Sequence, residues 1–151
     1  MVLTMLLGLF GCGKKAQITV TSVEAMTLTL HGMRGSNVYK FEGDDDTTEL
    51  RRYRVIYSSG EEALALEASV PCSTQTLIEL MNACGIPRWD GFHGKHPKNV
   101  SDGIMFDFAA EINGGQTIHA GGSANYPKGY YEFVRALDEM LAKEKMNHQE
   151  A

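Results

Sequence analysis

No apolar run in this sequence is long enough to cross a membrane. The longest, residues 2–11, has about ten residues, whereas a spanning helix needs about 20. An excess of positive charge is missing too. Fourteen Lys and Arg stand against nineteen Asp and Glu, a formal net charge of −5, which leaves no broad basic face for nucleic-acid binding. There is no nucleophile elbow, no Walker loop and no G-x-G-x-x-G leading a strand into a helix. Nor is there an internal repeat, a coiled coil or a second domain. With 43% hydrophobic and 22% charged residues, the chain is neither disordered nor a collagen-like fibre. Its 151 residues suit one folded domain with a real core.

The short apolar run has the length of a signal-peptide core, about 7–15 residues. It ends Leu9-Phe10-Gly11-Cys12 and is followed by Gly13-Lys14-Lys15. This pattern resembles a bacterial lipoprotein signal. The resemblance implies lipid transfer to the Cys12 thiol, cleavage after Gly11 and a polar tether. Residues 1–11 are then the signal peptide, 12–21 the lipidated cysteine and tether, 22–145 one α+β domain, and 146–151 a frayed tail. Two or three acyl chains, at about 0.8 kcal/mol per buried CH₂, hold a protein stably on a membrane.

Beyond the tether, alternation of apolar and polar residues predicts strands. The segments are 18–20 with 26–30, then 38–42, 49–57 and 63–70, the last with Leu64, Leu66, Ala68 and Val70 on one face. A helix follows. Ser73 is a good N-cap type, Leu77, Leu80, Met81 and Cys84 share one face, and Gly85 before Pro87 ends it. Residues 88–103 read as a long loop. Residues 104–112 are a strand with Ile104, Phe106, Phe108, Ala110 and Ile112 toward the core. Asn113-Gly114-Gly115 turns it into a hairpin partner over 117–120. Gly121-Gly122-Ser123 begins a connector, and Tyr130, Phe133, Val134, Leu137 and Leu141 mark a last helix. The expected class is α+β: a mainly antiparallel sheet of about six strands with two helices packed on one face. Cys72 and Cys84 bracket the first helix. Twelve residues at 1.5 Å each separate them by about 18 Å, too far for a disulfide.

Five segments taken together carry a wider resemblance. Trp89-Asp-Gly-Phe92, Asp102-Gly-Ile-Met-Phe106, Ile112-Asn-Gly-Gly-Gln-Thr-Ile118, Gly122-Ser-Ala-Asn-Tyr-Pro127 and Tyr131-Glu-Phe133 resemble a family of bacterial lipoproteins and exported domains of unknown function. That likeness covers about a third of the chain. It implies an exported address and brings no catalytic residues with it.

Several constellations are chemically suggestive. His93 and His96, beside Asp90 and Asp102, have ligand types for Zn²⁺, but a Gly-Pro loop does not fix their geometry as a helix would. Asp107 and Glu111, with His119 on the neighbouring strand, could form an acid–base pair or simply the solvated face of a sheet. Arg52 and Arg54 point the same way and could clamp an anion, or pair across strands with Glu42, Glu49 or Glu67. Asp44-Asp45-Asp46 lacks the spacing of a calcium loop. Gly121-Gly122-Ser123, ahead of a helix, offers backbone N–H groups to an anion. Trp89, Phe92, Tyr126, Tyr130 and Tyr131 cluster about the long loop; either Trp89 and Phe92 pin the loop onto the core while Tyr130 packs inward, or amphipathic aromatics of this kind anchor a recognition site, with Tyr126 and Tyr131 exposed at the rim of a groove.

The expectation is a membrane-anchored lipoprotein on the extracytoplasmic face of the cell membrane, lipidated at Cys12. Its domain reads as a non-catalytic binding module for a protein, peptide or glycan, with no metal, cofactor or nucleic acid. Its candidate surface comprises Trp89, Phe92, Tyr126, Tyr131, Arg52 and Arg54. One alternative is a metal-dependent or acid–base hydrolase using His93, His96, Asp102 and His119. Another is an inhibitor or partner of a larger exported protein.

Overall fold

The computed structural model describes residues 17–44 and 47–149. The signal-like segment, Cys12, and Asp45 and Asp46 of the acidic turn lie outside the described residues. The elements are β1 (Val23–Gly32), β2 (Gly35–Asp44), β3 (Thr47–Ser58), β4 (Glu61–Pro71), α1 (Thr74–Cys84), a 3₁₀ turn (Ile86–Trp89), β5 (His93–Gly94), β6 (Met105–Ile112), β7 (Gln116–Ser123) and α2 (Tyr130–Gln149).

They build one sheet in the order β4-β3-β2-β1-β6-β7-β5. Every pairing is antiparallel except β5, which runs parallel to β7 through His93–Gly121 and Gly94–Gly122. The fold is α+β, as the sequence pattern indicates, with seven strands among the described residues instead of about six. The seventh is two residues of the long loop, laid along the edge of β7. There the Gly91 N–H donates to the His119 carbonyl at 2.8 Å and the Gly121 N–H donates to the Phe92 carbonyl at 3.0 Å. A parallel pairing this short leaves no periodicity in a sequence.

Alternation decides which face is covered. Met26, Leu28, Phe41, Leu50, Phe106, Phe108, Ala110, Ile118 and Ala120 are buried on one side, which meets Leu77 and Met81 of α1 and Phe133, Leu137 and Leu141 of α2. Helix α1 is bounded as its sequence requires. The Ser73 hydroxyl accepts from the Thr76 N–H at 3.1 Å, and Gly85 ends it in the left-handed conformation with φ 71°. Cys72 and Cys84, at its two ends, are free thiols, and burial raises the pKa of both.

Five expectations need correction. Residues 18–20 are not a strand. They are held by side chains: the Val20 N–H donates to Asn82 Oδ1 at 2.9 Å and Asn82 Nδ2 returns to the Val20 carbonyl at 3.0 Å. The proposed common face of β4 is broken. Its register slips opposite Arg52 and Tyr53, so a bulge at Glu67 turns Leu66 and Leu64 to the uncovered side, where they are 56% and 43% exposed. A bulge adds one residue and shifts the period-two phase. Ile104 precedes β6 and is exposed. Gly121-Gly122-Ser123 belongs to β7 and is not the start of the connector, so it does not lead into α2 as an anion site there would need. Helix α2 continues to Gln149, beyond the expected fray at 146.

Candidate functional site

The aromatic residues divide between core and surface. Trp89 is 1% exposed. It stands edge-on to Phe108 at 5.3 Å and Phe133 at 5.7 Å, and its indole N–H donates to the Lys128 carbonyl at 2.9 Å. It pins the 3₁₀ turn to the start of α2, so of its two readings the core pin holds and the surface anchor does not.

Tyr126 is half-buried. Its hydroxyl donates to the Ile104 carbonyl at 2.8 Å, and its ring stacks on Tyr130 with centroids 4.3 Å apart and planes 10° from parallel. Tyr131 lies edge-on to both rings at 5.4 Å and is 64% exposed. Stacked and edge-on arrangements are the ones the ring quadrupole favours. Burial, the largest cause, raises the pKa of Tyr126 and takes that of Tyr130 far above the phenol range. Both phenols stay neutral at ordinary pH.

A groove of about 530 Å³ is open beside these rings. Phe92 and Tyr126 form its apolar wall, Ala83 and Cys84 bring in the end of α1, and Arg88, Lys128 and Glu132 supply charge. Tyr131 stands beside the groove through its contact with Tyr126 and is not among the lining residues. Of the aromatic candidates, the structure therefore brings Phe92, Tyr126 and Tyr131 together at the surface.

Arg52 and Arg54 lie elsewhere and are not an open anion clamp. Arg52 Nη1 is 3.2 Å from Asp138 Oδ1 on α2, which also accepts from the Tyr39 hydroxyl at 2.7 Å. Glu67, the bulge residue of β4, lies 3.3 Å from Arg52 Nε and 3.5 Å from Arg54 Nε. Arg52 Nε is close to Glu67 but not aligned for a hydrogen bond, and it has no partner. These groups tie α2 to the strands beneath it. Burial first, and then the Asp138 hydrogen bond, raises the Tyr39 pKa well above the phenol range.

Asp138→Ala strips a partner from both Tyr39 and Arg52. The expected loss is about 1–2 kcal/mol, near the low end because the carboxylate is half-exposed and solvent screens it. Chemical denaturation measures it. An unchanged midpoint would mean that the network does not hold α2.

The hydrolase residues are also split. Asp90, His93, Asp107 and His119 line a cleft of 440 Å³ on the helix-free face of the sheet, floored in part by Thr27, Ala109 and Gly121. Asp90 is already engaged, since its Oδ1 accepts from the His119 N–H at 3.0 Å. His96 is turned away: its Nδ1 accepts from the Ser123 hydroxyl at 2.8 Å, and its Nε2 donates to the Val100 carbonyl. Asp102 and Glu111 do not line the cleft. Among the described residues, no three His, Cys, Asp or Glu side chains are grouped to hold a metal ion.

Sequence reasoning missed two asparagines. Asn82 clamps Val20, as above. Asn113, in the left-handed conformation with φ 53°, accepts on Oδ1 from the Thr21 N–H at 2.7 Å and donates from Nδ2 to the Thr19 carbonyl at 2.9 Å. The hairpin signal that identified Asn113 as a turn residue gave no sign of this second task. Comparison with protein-family profiles, curated proteins and solved structures finds no match to this chain.

Proposed function

We propose that this chain is a membrane-anchored bacterial lipoprotein, acylated on Cys12 at the extracytoplasmic face, whose α+β domain is a non-catalytic binding module. The binding part of the reading rests on one observation. Phe92 and Tyr126 line an open groove with Tyr131 beside it, and Tyr126 is held by a stacked ring and by its own hydrogen bond. Rings fixed in advance lose little conformational freedom when a ligand arrives. An apolar wall with Arg88, Lys128 and Glu132 about it suits a peptide or glycan that offers both apolar and polar groups. A segment of a larger exported protein would meet the same surface.

The hydrolase alternative keeps one supporting observation, the shared cleft of His93 and His119 with two carboxylates. The groove is the stronger candidate because its aromatic walls are built, whereas the cleft gathers only part of the residues the alternative needs.

Two measurements in cells test the proposal. Wild-type protein is expected in the membrane fraction with fatty acid on Cys12, and Cys12→Ser is expected in the soluble fraction without it. A photo-crosslinking residue at Tyr131 is expected to give a discrete adduct, and one at Glu62 none. Fatty-acid labelling that survives Cys12→Ser would overturn the anchor. Adducts at Glu62 without any at Tyr131 would overturn the groove.

A further inference from the structure

The short tether and the fixed place where it leaves the fold decide how the domain would sit on its membrane. Residues 19–22 are stapled from two sides, by Asn82 of α1 and Asn113 of the β6–β7 turn. Gln17 and Ile18 therefore emerge at one defined corner. They line a cavity of 620 Å³ together with Gly85, Pro87 and Arg88 at the end of α1. Arg88 also lines the aromatic groove, so the two openings adjoin.

Only five peptide steps separate Cys12 from Gln17. Fully extended they span at most about 17 Å. The headgroup layer of one leaflet takes up about 5–7 Å of that reach. The sheet is wider than the remainder. Five interstrand steps separate β4 from β7, about 24 Å at the usual spacing. A lipid on Cys12 thus holds the α1–3₁₀ corner near the bilayer, while the opposite edge, β4, lies beyond the tether's reach and is not drawn down by it.

Charge favours the same orientation. Arg88 and Lys128 are exposed at this corner, and Lys14 and Lys15 lie in the tether, against Asp90 and Glu132. The chain as a whole carries −5, so its negative excess lies on the remaining surface. Basic side chains near an anionic leaflet are attracted over about a Debye length.

We infer that the surface around Arg88 and Lys128 faces the lipid headgroups and contacts their phosphates, so that the aromatic groove opens within the membrane-proximal layer. The inference rests on acylation of Cys12. It confines the groove's ligand to what can reach that layer.

The full lipidated chain, in vesicles of phosphatidylethanolamine and phosphatidylglycerol carrying a headgroup quencher, tests this. A fluorophore is placed at Ala83→Cys or at Glu62→Cys, each with Cys84→Ser, and mass spectrometry reports the lipid on Cys12. The Ala83 label is expected to be quenched strongly and the Glu62 label weakly. Arg88→Gln together with Lys128→Gln is expected to weaken the orientational bias about fivefold per charge removed. Equal quenching at both positions, with lipid present on Cys12, overturns the orientation and leaves the lipoprotein reading standing. Absence of lipid on Cys12 from native membranes overturns both.

Discussion

Trp89→Ala is expected to lower the melting temperature by about 10–20 °C, the largest drop among single truncations of the aromatic residues. The indole is fully enclosed by Phe106, Phe108, Tyr130 and Phe133. Removing a buried aromatic side chain of this size costs about 3–5 kcal/mol, because transfer energy is lost and a cavity remains. The Lys128 carbonyl also loses its donor. Trp89→Phe restores ring volume but not the N–H and should recover about half of the loss. Tyr131→Ala is the contrasting case. Its ring is mostly in water, and its melting temperature should stay within about 2 °C of wild type. Thermal unfolding followed by circular dichroism distinguishes the two. If Trp89→Ala melted with wild type, Trp89 would not be part of the core.

Gly129→Ala is expected to be nearly as damaging, at about 3 kcal/mol. Gly129 precedes α2 with φ +89°, and an added Cβ would collide with the Cys84 carbonyl at the end of α1. Backbone strain and overlap therefore act together. Gly85 separates the two contributions. It also has positive φ, 71°, but a Cβ there meets nothing within 4 Å. Gly85→Ala should carry the conformational cost alone, about 1–2 kcal/mol. Equal losses at the two positions, read from denaturant midpoints, would show that the close approach between α1 and α2 contributes nothing.

The sequence was informative wherever a local rule acts alone. Ser73 and Gly85 bound α1 as capping rules require, and Asn113-Gly114-Gly115 turns β6 into β7. The alternation from Phe106 to Ile112 correctly identified the buried face. It was misleading where two segments distant in sequence had to meet. The bulge at Glu67 inverts Leu64 and Leu66 relative to Val70, and only pairing with β3 reveals it. Ile18-Thr-Val20 alternates like a strand, yet two asparagine side chains occupy the place of a neighbouring ladder. Trp89 reads from the sequence as either a core pin or a surface anchor, and it is α2, some forty residues later, closing over it that decides for the core. Arg52 pairs with Glu67, one of three carboxylates the strand pattern offers it, but its second partner, Asp138, sits on a helix whose polar positions carry no pairing signal. At the groove, the aromatic residues were legible as a group; which rings turn inward depended on packing.

The two-sided hold on residues 19–22 has a mechanical meaning. Tension applied at the amino end reaches the amides of Asn82 and Asn113 before it reaches the ladder of β1. A few side-chain hydrogen bonds would give way first, letting out a short length of chain while the sheet stayed intact. A protein fixed to a moving surface could then yield slightly under load and recover without unfolding.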